Sequence, residues 1–527
     1  MFKEYIVSLK RGVNYDEFWH QIENTSADDG FVPSRRVDIV NNRDGSLRSC
    51  HYALSDEEAK KLQKDPRVYS VEIPLQNRED VVLSLRGRQT GDFTKTSSSS
   101  GSFVNWGLNR INSSANPYGA NSSTSSNYDY ILDGTGVDVV IQDSGIEVYH
   151  PEFFDSNGNT RVQQINWYTA SGLAGTQNAN HYRDFDGHGT HVAGIVAGKT
   201  FGWAKNARIY SLKVRGLEGT GDNNTGIIIA DCFDVIKLWH RNKPVDPVTG
   251  FKRPTIVNMS WGYSLLYTSI NSLTYRGVTH TDSDTLSNVT YRWWNYGLIP
   301  LFNGAQYIAN LRQGQVDIDI QELIDEGVHV VIAAGNNYHK IDIPGGLDYD
   351  NEINVGGSDY YYHRGSSPLD DDAFKVGNID SSVINATTEQ KAVSSESGPG
   401  VDIWAPGSNV MSCTSNTNDY SSSTYQFNTA FKQLNISGTS MAAPQVCGLG
   451  ALYLQMNPSA NPAQLKKWII QSATINKLYN GVSGNVYTDL RSLVGGYNRM
   501  LYNPVGLFSD GNLDGQIILE NGALTLV

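Results

Sequence analysis

The sequence predicts an α/β protein with a doubly wound, mostly parallel sheet, preceded by a small α+β domain of the ferredoxin-like type. Beyond residue 103, short apolar runs alternate with helix-like segments, which is typical of a parallel sheet covered by helices on both faces. Before residue 76, the apolar runs and helical signals follow the order βαββαβ. The chain has 527 residues, and this length suits one large domain accompanied by a smaller one.

The small N-terminal domain is predicted to span residues 1–76. Its strands are predicted at Tyr5–Leu9, Arg36–Val40, Leu47–Leu54 and Val68–Ile73, and its helices at Tyr15–Glu23 and from Ser55 to about Lys64. The start of the second helix rests on Ser55 and Glu58, which have the spacing of a capping box. The following residues, 77–103, are polar and end in a serine-rich stretch, which predicts a linker.

The large domain is predicted to span residues 104–505. Its predicted elements include the strands Val137–Ile141, Arg208–Val214, Thr255–Met259 and Val328–Ala333, and the helices His191–Ala197 and Gly226–His240. In the C-terminal extension, residues 506–527, two apolar runs at Gln516–Leu519 and Ala523–Val527 flank Glu-Asn-Gly, which predicts a β-hairpin. This hairpin could pack on its own body or extend the sheet of a partner.

The charge balance and the apolar runs argue against several classes of partner. There are 41 Lys and Arg residues against 54 Asp and Glu, and the net charge of −13 would repel phosphate backbones and anionic lipids. No stretch approaches the roughly 18 apolar residues of a spanning helix, and no secretory signal is visible. We therefore expect no nucleic-acid or membrane partner, and a cytoplasmic or virion-associated location unless another export route is used.

The four cysteines are scattered along the chain without any CxxC spacing. They are Cys50, Cys232, Cys413 and Cys447. Neither a zinc site nor a dense disulfide framework is indicated, so we expect free, buried thiols.

Three short segments carry candidate chemistry, and each also has an ordinary structural explanation. Asp143 follows a buried strand, where ligand-facing groups lie in α/β sheets, although Asp-Ser-Gly is also a common turn. His188 opens a predicted helix, and its distance from His191 does not match the usual spacing of a zinc pair. Ser440 lies in Ser-Gly-Thr-Ser-Met-Ala-Ala-Pro, where a hydroxyl could also be a simple helix cap.

Taken together, Asp143, His188 and Ser440, in this order and with these neighbours, resemble the signature of the subtilisin-like serine proteases, the subtilases of peptidase family S8. Residues 197–214 are more similar to the proteinase K branch than to the bacillar subtilisins, and the N-terminal domain resembles the inhibitory propeptide of the family. The resemblance implies a serine endopeptidase that is made as a self-inhibited zymogen, with autocleavage within residues 77–103.

The resemblance also implies a role for each site residue. Ser440 would be the nucleophile, His188 its general base, and Asp143 the carboxylate that orients the imidazole. Asn336, in Ala-Ala-Gly-Asn, would donate to the oxyanion together with the backbone N–H of Ser440. Asn337 follows directly and is an alternative donor, but the register of the motif favours Asn336.

Substrate in this family binds as an added strand between two segments, so recognition would depend mainly on backbone hydrogen bonds. The residues implied in this binding are Ser260, Trp261, Gly262, Gly219, Thr220, Gly221, Ala334 and Gly335. Trp261 stands where the family usually has a leucine. It would narrow a substrate pocket, or it could simply fill the core.

No cofactor is expected for catalysis, but a structural Ca²⁺ is implied by the resemblance to proteinase K. Its ligands would be the carboxylate of Asp402 and backbone carbonyls near Asp350 and Glu352, because oxygen ligands suit this ion. The alternative is a solvated acidic loop.

Three insertions lengthen the chain beyond what the family needs, at residues 263–325, 360–396 and 416–433. The first contains an aromatic cluster that could form a lid, an exosite or a partner surface. Its members are Tyr291, Trp293, Trp294 and Tyr296.

Two hypotheses of different classes follow from these observations. In the first, the chain is a protease of protein or peptide substrates, with its own propeptide as intramolecular inhibitor. A narrower form of it is a processing enzyme with one dedicated partner. In the second, the chain is a structural or interaction component of a larger assembly, such as a virion, that keeps an unprocessed propeptide and binds partners through its insertions or tail. The intact triad with Asn336 favours the first.

Overall fold

The computed structural model of the chain describes most of its length. The described residues are 2–24, 30–43, 45–74, 77–78, 81–85, 105–118, 130, 132–282, 295–300, 307–365, 372–385, 387–481, 489–505, 517–520 and 523–526. We call residues 2–74 the N-terminal unit and residues 105–505 the body.

Helices and strands are numbered in chain order. The helices are α1 (Tyr15–Asn24), α2 (Asp56–Leu62), α3 (Trp106–Ile111), α4 (Trp167–Ser171), α5 (His188–Ala197), α6 (Ile229–Asn242), α7 (Gly314–Asp325), α8 (Thr439–Met456) and α9 (Pro462–Ser472). The strands up to β14 are β1 (Lys3–Leu9), β2 (Ile39–Asn41), β3 (Ser49–Leu54), β4 (Val68–Glu72), β5 (Val81–Leu85), β6 (Asp138–Asp143), β7 (Val162–Gln163), β8 (Arg208–Lys213), β9 (Thr255–Met259), β10 (Trp261–Tyr267), β11 (Ser272–Tyr275), β12 (Val278–His280), β13 (Ile299–Pro300) and β14 (Tyr307–Leu311). The remaining strands are β15 (His329–Ala333), β16 (Glu352–Val355), β17 (Ser358–Tyr361), β18 (Phe374–Val383), β19 (Glu389–Lys391), β20 (Ile403–Pro406), β21 (Val410–Thr414), β22 (Ser423–Thr424), β23 (Lys432–Ile436), β24 (Thr474–Ile475), β25 (Arg499–Met500), β26 (Ile517–Glu520) and β27 (Ala523–Leu526).

The N-terminal unit is a four-stranded antiparallel sheet in the order β2-β3-β1-β4, with α1 and α2 completing the predicted βαββαβ pattern. Ser55 and Glu58 form the predicted capping box, in which each side chain accepts a hydrogen bond from the backbone N–H of the other residue. Such a cap satisfies two N–H groups that a helix start leaves without partners. The second predicted strand, Arg36–Val40, is shorter than expected, since β2 spans only Ile39–Asn41.

The body is built on a large, mostly parallel sheet whose main path runs β24-β25-β20-β18-β15-β9-β6-β8-β7. Neighbours from β7 to β25 along this path pair in parallel. Alternate residues of β6 enter two different cores: Val139 and Ile141 pack with α5 and α8, and Val140 packs with α6 and α7. Because both faces of the sheet are buried, the predicted α/β class is confirmed.

The N-terminal unit packs on α6 and α7 of the body through charged and polar side chains. Arg43 reaches between Asp234 and Asp319, with N–O distances of 2.8 and 3.0 Å, and its side chain is 1% exposed. At the start of α7, the carboxylate of Glu72 accepts hydrogen bonds from the backbone N–H groups of Gly314 and Gln315 at 3.0 and 3.2 Å. A carboxylate at this end of a helix is stabilised by the N–H groups and the helix dipole.

Several expectations need correction. The predicted linker contains a strand, β5, while residues 86–103 lie outside the described part of the chain. Tyr296 is buried against Tyr275, with ring centroids 5.2 Å apart, and so belongs to the core rather than to a lid. The other three aromatic residues of that cluster fall outside the described ranges.

Other expectations are met. The four cysteines are buried and free. The C-terminal hairpin is present as β26 and β27, which pair antiparallel in a two-stranded sheet of their own. Within the described ranges, no helix has the length and hydropathy to cross a bilayer.

Candidate active site

Three elements bring the candidate catalytic residues to one end of the parallel sheet. Strand β6 ends at Asp143, α5 begins at His188, and α8 begins one residue before Ser440. Gly187, which precedes α5, has a φ of 94°, a left-handed conformation that a residue without a Cβ adopts at low cost. The structure therefore places the three residues at the end of a strand and at the starts of two helices, as the motifs predicted.

His188 and Asp143 form a buried pair. His188 Nδ1 lies 2.8 Å from Asp143 Oδ1, and both side chains are 0% exposed. Burial alone would lower the pKa of His188, but the charge and hydrogen bond of Asp143 outweigh it, so this pKa lies above its ordinary value. The bond keeps the Nδ1 proton towards Asp143 and leaves Nε2 as the basic nitrogen. Nε2 is buried and has no partner among the described residues.

The Ser440 hydroxyl donates a hydrogen bond to the backbone carbonyl of Ser260 at 3.1 Å. In return, the Ser260 hydroxyl donates to the carbonyl of Ser440 at 3.0 Å. These reciprocal bonds fix the start of α8 against the segment between β9 and β10, which the sequence predicted to bind substrate. In this conformation the Ser440 hydroxyl is bonded to Ser260 and not to His188 Nε2.

The side chain of Asn336 is held by Thr439, the residue before Ser440. Its Oδ1 accepts hydrogen bonds from the backbone N–H and the hydroxyl of Thr439, at 2.9 and 3.1 Å. Its Nδ2 is buried and has no partner among the described residues, so an unused donor lies beside the start of α8. Asn337 instead donates from Nδ2 to Asn310 Oδ1 at 3.2 Å, which removes it as the alternative.

Asp184 supports the site and was not found by the sequence analysis. Its carboxylate accepts hydrogen bonds from the backbone N–H groups of Gly187 and Thr190 and from the hydroxyl of Ser144, at 2.8, 2.9 and 2.8 Å. It thereby ties the start of α5 to the end of β6, the two elements that carry the buried pair. Burial raises the pKa of Asp184, although these hydrogen bonds oppose the shift. An acidic residue four positions before His188 was the available signal.

The predicted substrate-binding residues lie around Ser440 and the loop of His188. Gly335 donates its N–H to the Thr439 hydroxyl at 3.1 Å, and Ala334 donates to the carbonyl of Val376 at 3.0 Å. A Cβ on Gly219 would lie 2.4 Å from the backbone nitrogen of Asp186, so this segment closely approaches the His188 loop. Thr220 donates hydrogen bonds from its backbone N–H and its hydroxyl to Asp419 Oδ2, each at 3.0 Å. Gly221 has a left-handed φ of 88°, and Gly262 pairs with Ser84.

Trp261 fills the core. Its side chain is 3% exposed and packs edge-on against Tyr263, with ring centroids 5.5 Å apart, and against Phe233 at 6.4 Å. The expectation that it narrows a substrate pocket is therefore wrong, and the alternative explanation holds.

The outer edge of β10 is occupied by β5. The two strands pair antiparallel, with Trp261 opposite Leu85 and Gly262 opposite Ser84. The chain's own N-terminal segment therefore lies along the segment that the sequence predicted to bind substrate.

The donor set around Asp402 does not fit the predicted Ca²⁺. Its carboxylate lies 3.0 Å from the ammonium of Lys466 and 3.5 Å from that of Lys375, so a divalent cation there would be repelled. Asp350 pairs with Arg364 at 2.6 Å, and the backbone of Glu352 belongs to β16. The one carboxylate of the predicted site is thus already paired with two basic side chains.

The family model, the relatives and the solved structure that match this chain are all described as subtilases or serine proteases. The model of the Subtilase family matches residues 134–495. Alkaline serine exoprotease A from Vibrio alginolyticus is 27% identical over 85% of this chain, which spans 57% of that relative's length. Subtilisin-like protease 3 from Arthroderma benhamiae is 25% identical over 95% of this chain and 91% of its own length. The crystal structure of a cold adapted subtilisin-like serine proteinase is 23% identical in sequence. The match covers 75% of this chain and 97% of that protein's chain, with a TM-score of 0.45.

Proposed function

The chain belongs to the subtilase family of serine proteases, and on this premise we propose that it is an endopeptidase whose triad is Asp143, His188 and Ser440. The observation that carries the proposal is the buried pair of His188 Nδ1 and Asp143 Oδ1, 2.8 Å apart, with Nε2 left without a partner among the described residues. A base held in this tautomer is what a serine hydroxyl needs to become a nucleophile.

Each proposed step uses one of these groups. Ser440 Oγ attacks the carbonyl carbon of the scissile bond and passes its proton to His188 Nε2. The oxyanion that forms accepts hydrogen bonds from Asn336 Nδ2 and the backbone N–H of Ser440. His188 then gives its proton to the leaving amine as the C–N bond breaks. Water, deprotonated by the same nitrogen, hydrolyses the acyl ester and restores the hydroxyl.

The nucleophile can be identified by the residue that a fluorophosphonate probe modifies. We expect tandem mass spectrometry of the labelled wild-type enzyme to find the phosphonate on Ser440 alone. Ser423→Ala, an exposed serine in β22, should label as the wild type does. A label on another serine, with Ser440 unmodified in active enzyme, would contradict the assignment.

The oxyanion donor can be tested with two adjacent asparagines. Asn336→Leu should lower kcat about 100- to 1,000-fold with little change in KM, because the lost bond forms in the transition state. Asn337→Leu loses only the bond to Asn310 and should cost far less. If Asn337→Leu had the larger effect, the assignment of the two residues would be reversed.

We also propose that the chain is a self-inhibited zymogen. Two observations support this: β5 pairs with β10 along the segment beside Ser440, and the N-terminal unit packs on α6 and α7. A segment in this position keeps other peptides from the cleft. In the register of this pair, Leu85 lies opposite Trp261. If the register continues by one residue, Arg86 lies opposite Ser260, so the bond between Arg86 and Gly87 is the expected cleavage site.

Intact mass spectrometry of the wild type beside Ser440→Ala tests self-cleavage. The wild type should lose its first 86 residues, within one or two bonds, and Ser440→Ala should keep its full mass. A full-length wild type that nevertheless labels with the probe would refute the zymogen proposal while leaving the triad intact. The alternative of an unprocessed structural component is not favoured, because the family and the relatives are proteases.

A further inference from the structure

The strand that borders the cleft is longer than the segment that the sequence predicted to bind substrate. That segment ends at Gly262, whereas β10 continues as a regular strand to Tyr267. The additional residues belong to the segment 263–325, which the sequence analysis interprets as the first insertion. The insertion therefore lengthens the strand that borders the cleft.

The inner edge of this extension is fully paired. Strand β14, from the same insertion, pairs antiparallel with β10 from Tyr263, opposite Leu311, to Tyr267, opposite Tyr307. The rings of Tyr267 and Tyr307 stack with centroids 5.3 Å apart, and Leu265 is 0% exposed. The extension is thus held in place by pairing and by burial of its side chains.

Strand β14 also contacts the loop that carries the proposed oxyanion donor. Asn310, in β14, accepts a hydrogen bond at 3.2 Å from Asn337, the neighbour of Asn336. Asn310 also donates to the buried carboxylate of Glu396. These contacts fix β14, and through it β10, relative to the catalytic centre, so a peptide aligned along β10 is also aligned with Ser440.

The outer edge of β10 pairs with five residues of the chain's own segment. The pairs run from Trp261 opposite Leu85 to Leu265 opposite Val81. Three of these five pairs lie beyond Gly262, on the inserted part of the strand. Pairing between main chains depends little on sequence, so another extended peptide can form it once β5 has left.

We propose, on the basis of the protease function above, that the extension of β10 beyond Gly262, held by β14, gives this enzyme an extended substrate cleft that binds six residues upstream of the scissile bond. Five of them pair as β5 does with β10, and the sixth carries the carbonyl that is attacked. The ligand class is an extended peptide or an unfolded segment of a protein. Short peptides would leave the inserted part of β10 unpaired and would be poorer substrates.

A length series taken from the chain's own sequence tests this in the processed wild-type enzyme. The substrates are N-acetyl peptides with a C-terminal aminomethylcoumarin, ending at position 86 and beginning at position 83, 82 or 81. Residues of an antiparallel strand bond to one neighbour only at alternate positions, each time with two hydrogen bonds. We therefore expect kcat/KM to rise about tenfold from the tetrapeptide to the hexapeptide. Most of this gain should come from only one of the two added residues, either the one at position 82 or the one at position 81.

N-methylation separates main-chain pairing from side-chain contact. Two further hexapeptides carry a single N-methyl group, on the residue at position 81 or on that at position 82. One of them should fall to the rate of the tetrapeptide, because its methyl group faces β10, and the other should keep the gain. Equal rates for the tetrapeptide and hexapeptide, or a gain that neither methyl group affects, would overturn the proposal.

Failure of this proposal can be distinguished from failure of the proposed function. If the enzyme labels at Ser440 but shows no dependence of kcat/KM on peptide length, only this proposal fails. If it neither labels nor cuts any of the peptides, the proposed function fails and this proposal with it.

Discussion

Two regions hold the N-terminal segment against the body, and they use different chemistry. On α6 and α7 the contacts are side chains of opposite charge, with the buried Arg43 between two carboxylates. In the cleft the contact is a strand, β5, whose main chain pairs with β10. The first region recognises one particular domain, whereas the second suits any extended peptide. Docking and cleft occupancy can therefore be weakened separately.

Removal of Arg43 should have the largest effect, and it should act on docking alone. Arg43→Met leaves Asp234 and Asp319 buried with one less positive charge, and breaking a buried ion pair in this way typically costs about 3–5 kcal/mol. We expect a loss of this size in the unfolding free energy of the uncleaved Ser440→Ala chain, measured with urea.

Arg11 provides the matched control. It pairs with Asp325 across the same interface, at 2.7 Å, but both side chains are about half exposed. Arg11→Met should therefore cost no more than about 1 kcal/mol. Similar losses of unfolding free energy for the two variants would mean that the buried ion pairs of Arg43 contribute no more to docking than the exposed pair of Arg11.

Proline substitutions in β5 should have a smaller effect, and they act on the cleft alone. Of Val82 and Leu83, one directs its N–H to β10 and the other directs it away, because the two residues are adjacent in an antiparallel pair. We expect one of Val82→Pro and Leu83→Pro to slow self-cleavage about tenfold, since it loses a hydrogen bond to β10. The other should cleave at nearly the wild-type rate. A time course of intact mass would show this, and equal behaviour of the two would argue against the pairing.

The two regions should also differ in how their contribution to the unfolding free energy depends on pH. Burial and the nearby Asp234 raise the pKa of Asp319 to about 7, although Arg43 opposes the shift. A carboxyl whose pKa is higher in the folded chain than in the unfolded chain destabilises the fold when it ionises. The contribution of Asp319 to the unfolding free energy of Ser440→Ala should therefore fall as pH rises from about 4 to about 7. Asp319→Asn should flatten this dependence, whereas β5 contributes no titrating group to it.

The parts that the sequence predicted are those encoded locally. The capping box at Ser55 and Glu58 depends on four adjacent residues, and the helix that follows begins where predicted. The residues Asp143, His188 and Ser440 were found because short motifs surround them, and their strand and helix positions follow from the same motifs.

The parts that the sequence missed depend on distant contacts. Strand β5 looked like part of a polar linker, because its regular structure comes from pairing with β10, about 180 residues away. The expected Ca²⁺ site failed because Lys375 and Lys466, far apart in sequence, both reach Asp402. Trp261 could equally have lined a pocket or filled the core, and only its contact with Phe233 and Tyr263 decided between them.

Hydrogen exchange at the amides of β10 tests most directly whether the N-terminal segment occupies the cleft. The comparison is between the uncleaved Ser440→Ala chain and the processed wild-type enzyme. We predict slow exchange along Trp261–Leu265 in the uncleaved chain and clearly faster exchange in the processed enzyme at the alternate amides that face β5. Adding a substrate-like hexapeptide aldehyde should restore the protection. Equal exchange of these amides in the two proteins would contradict the account.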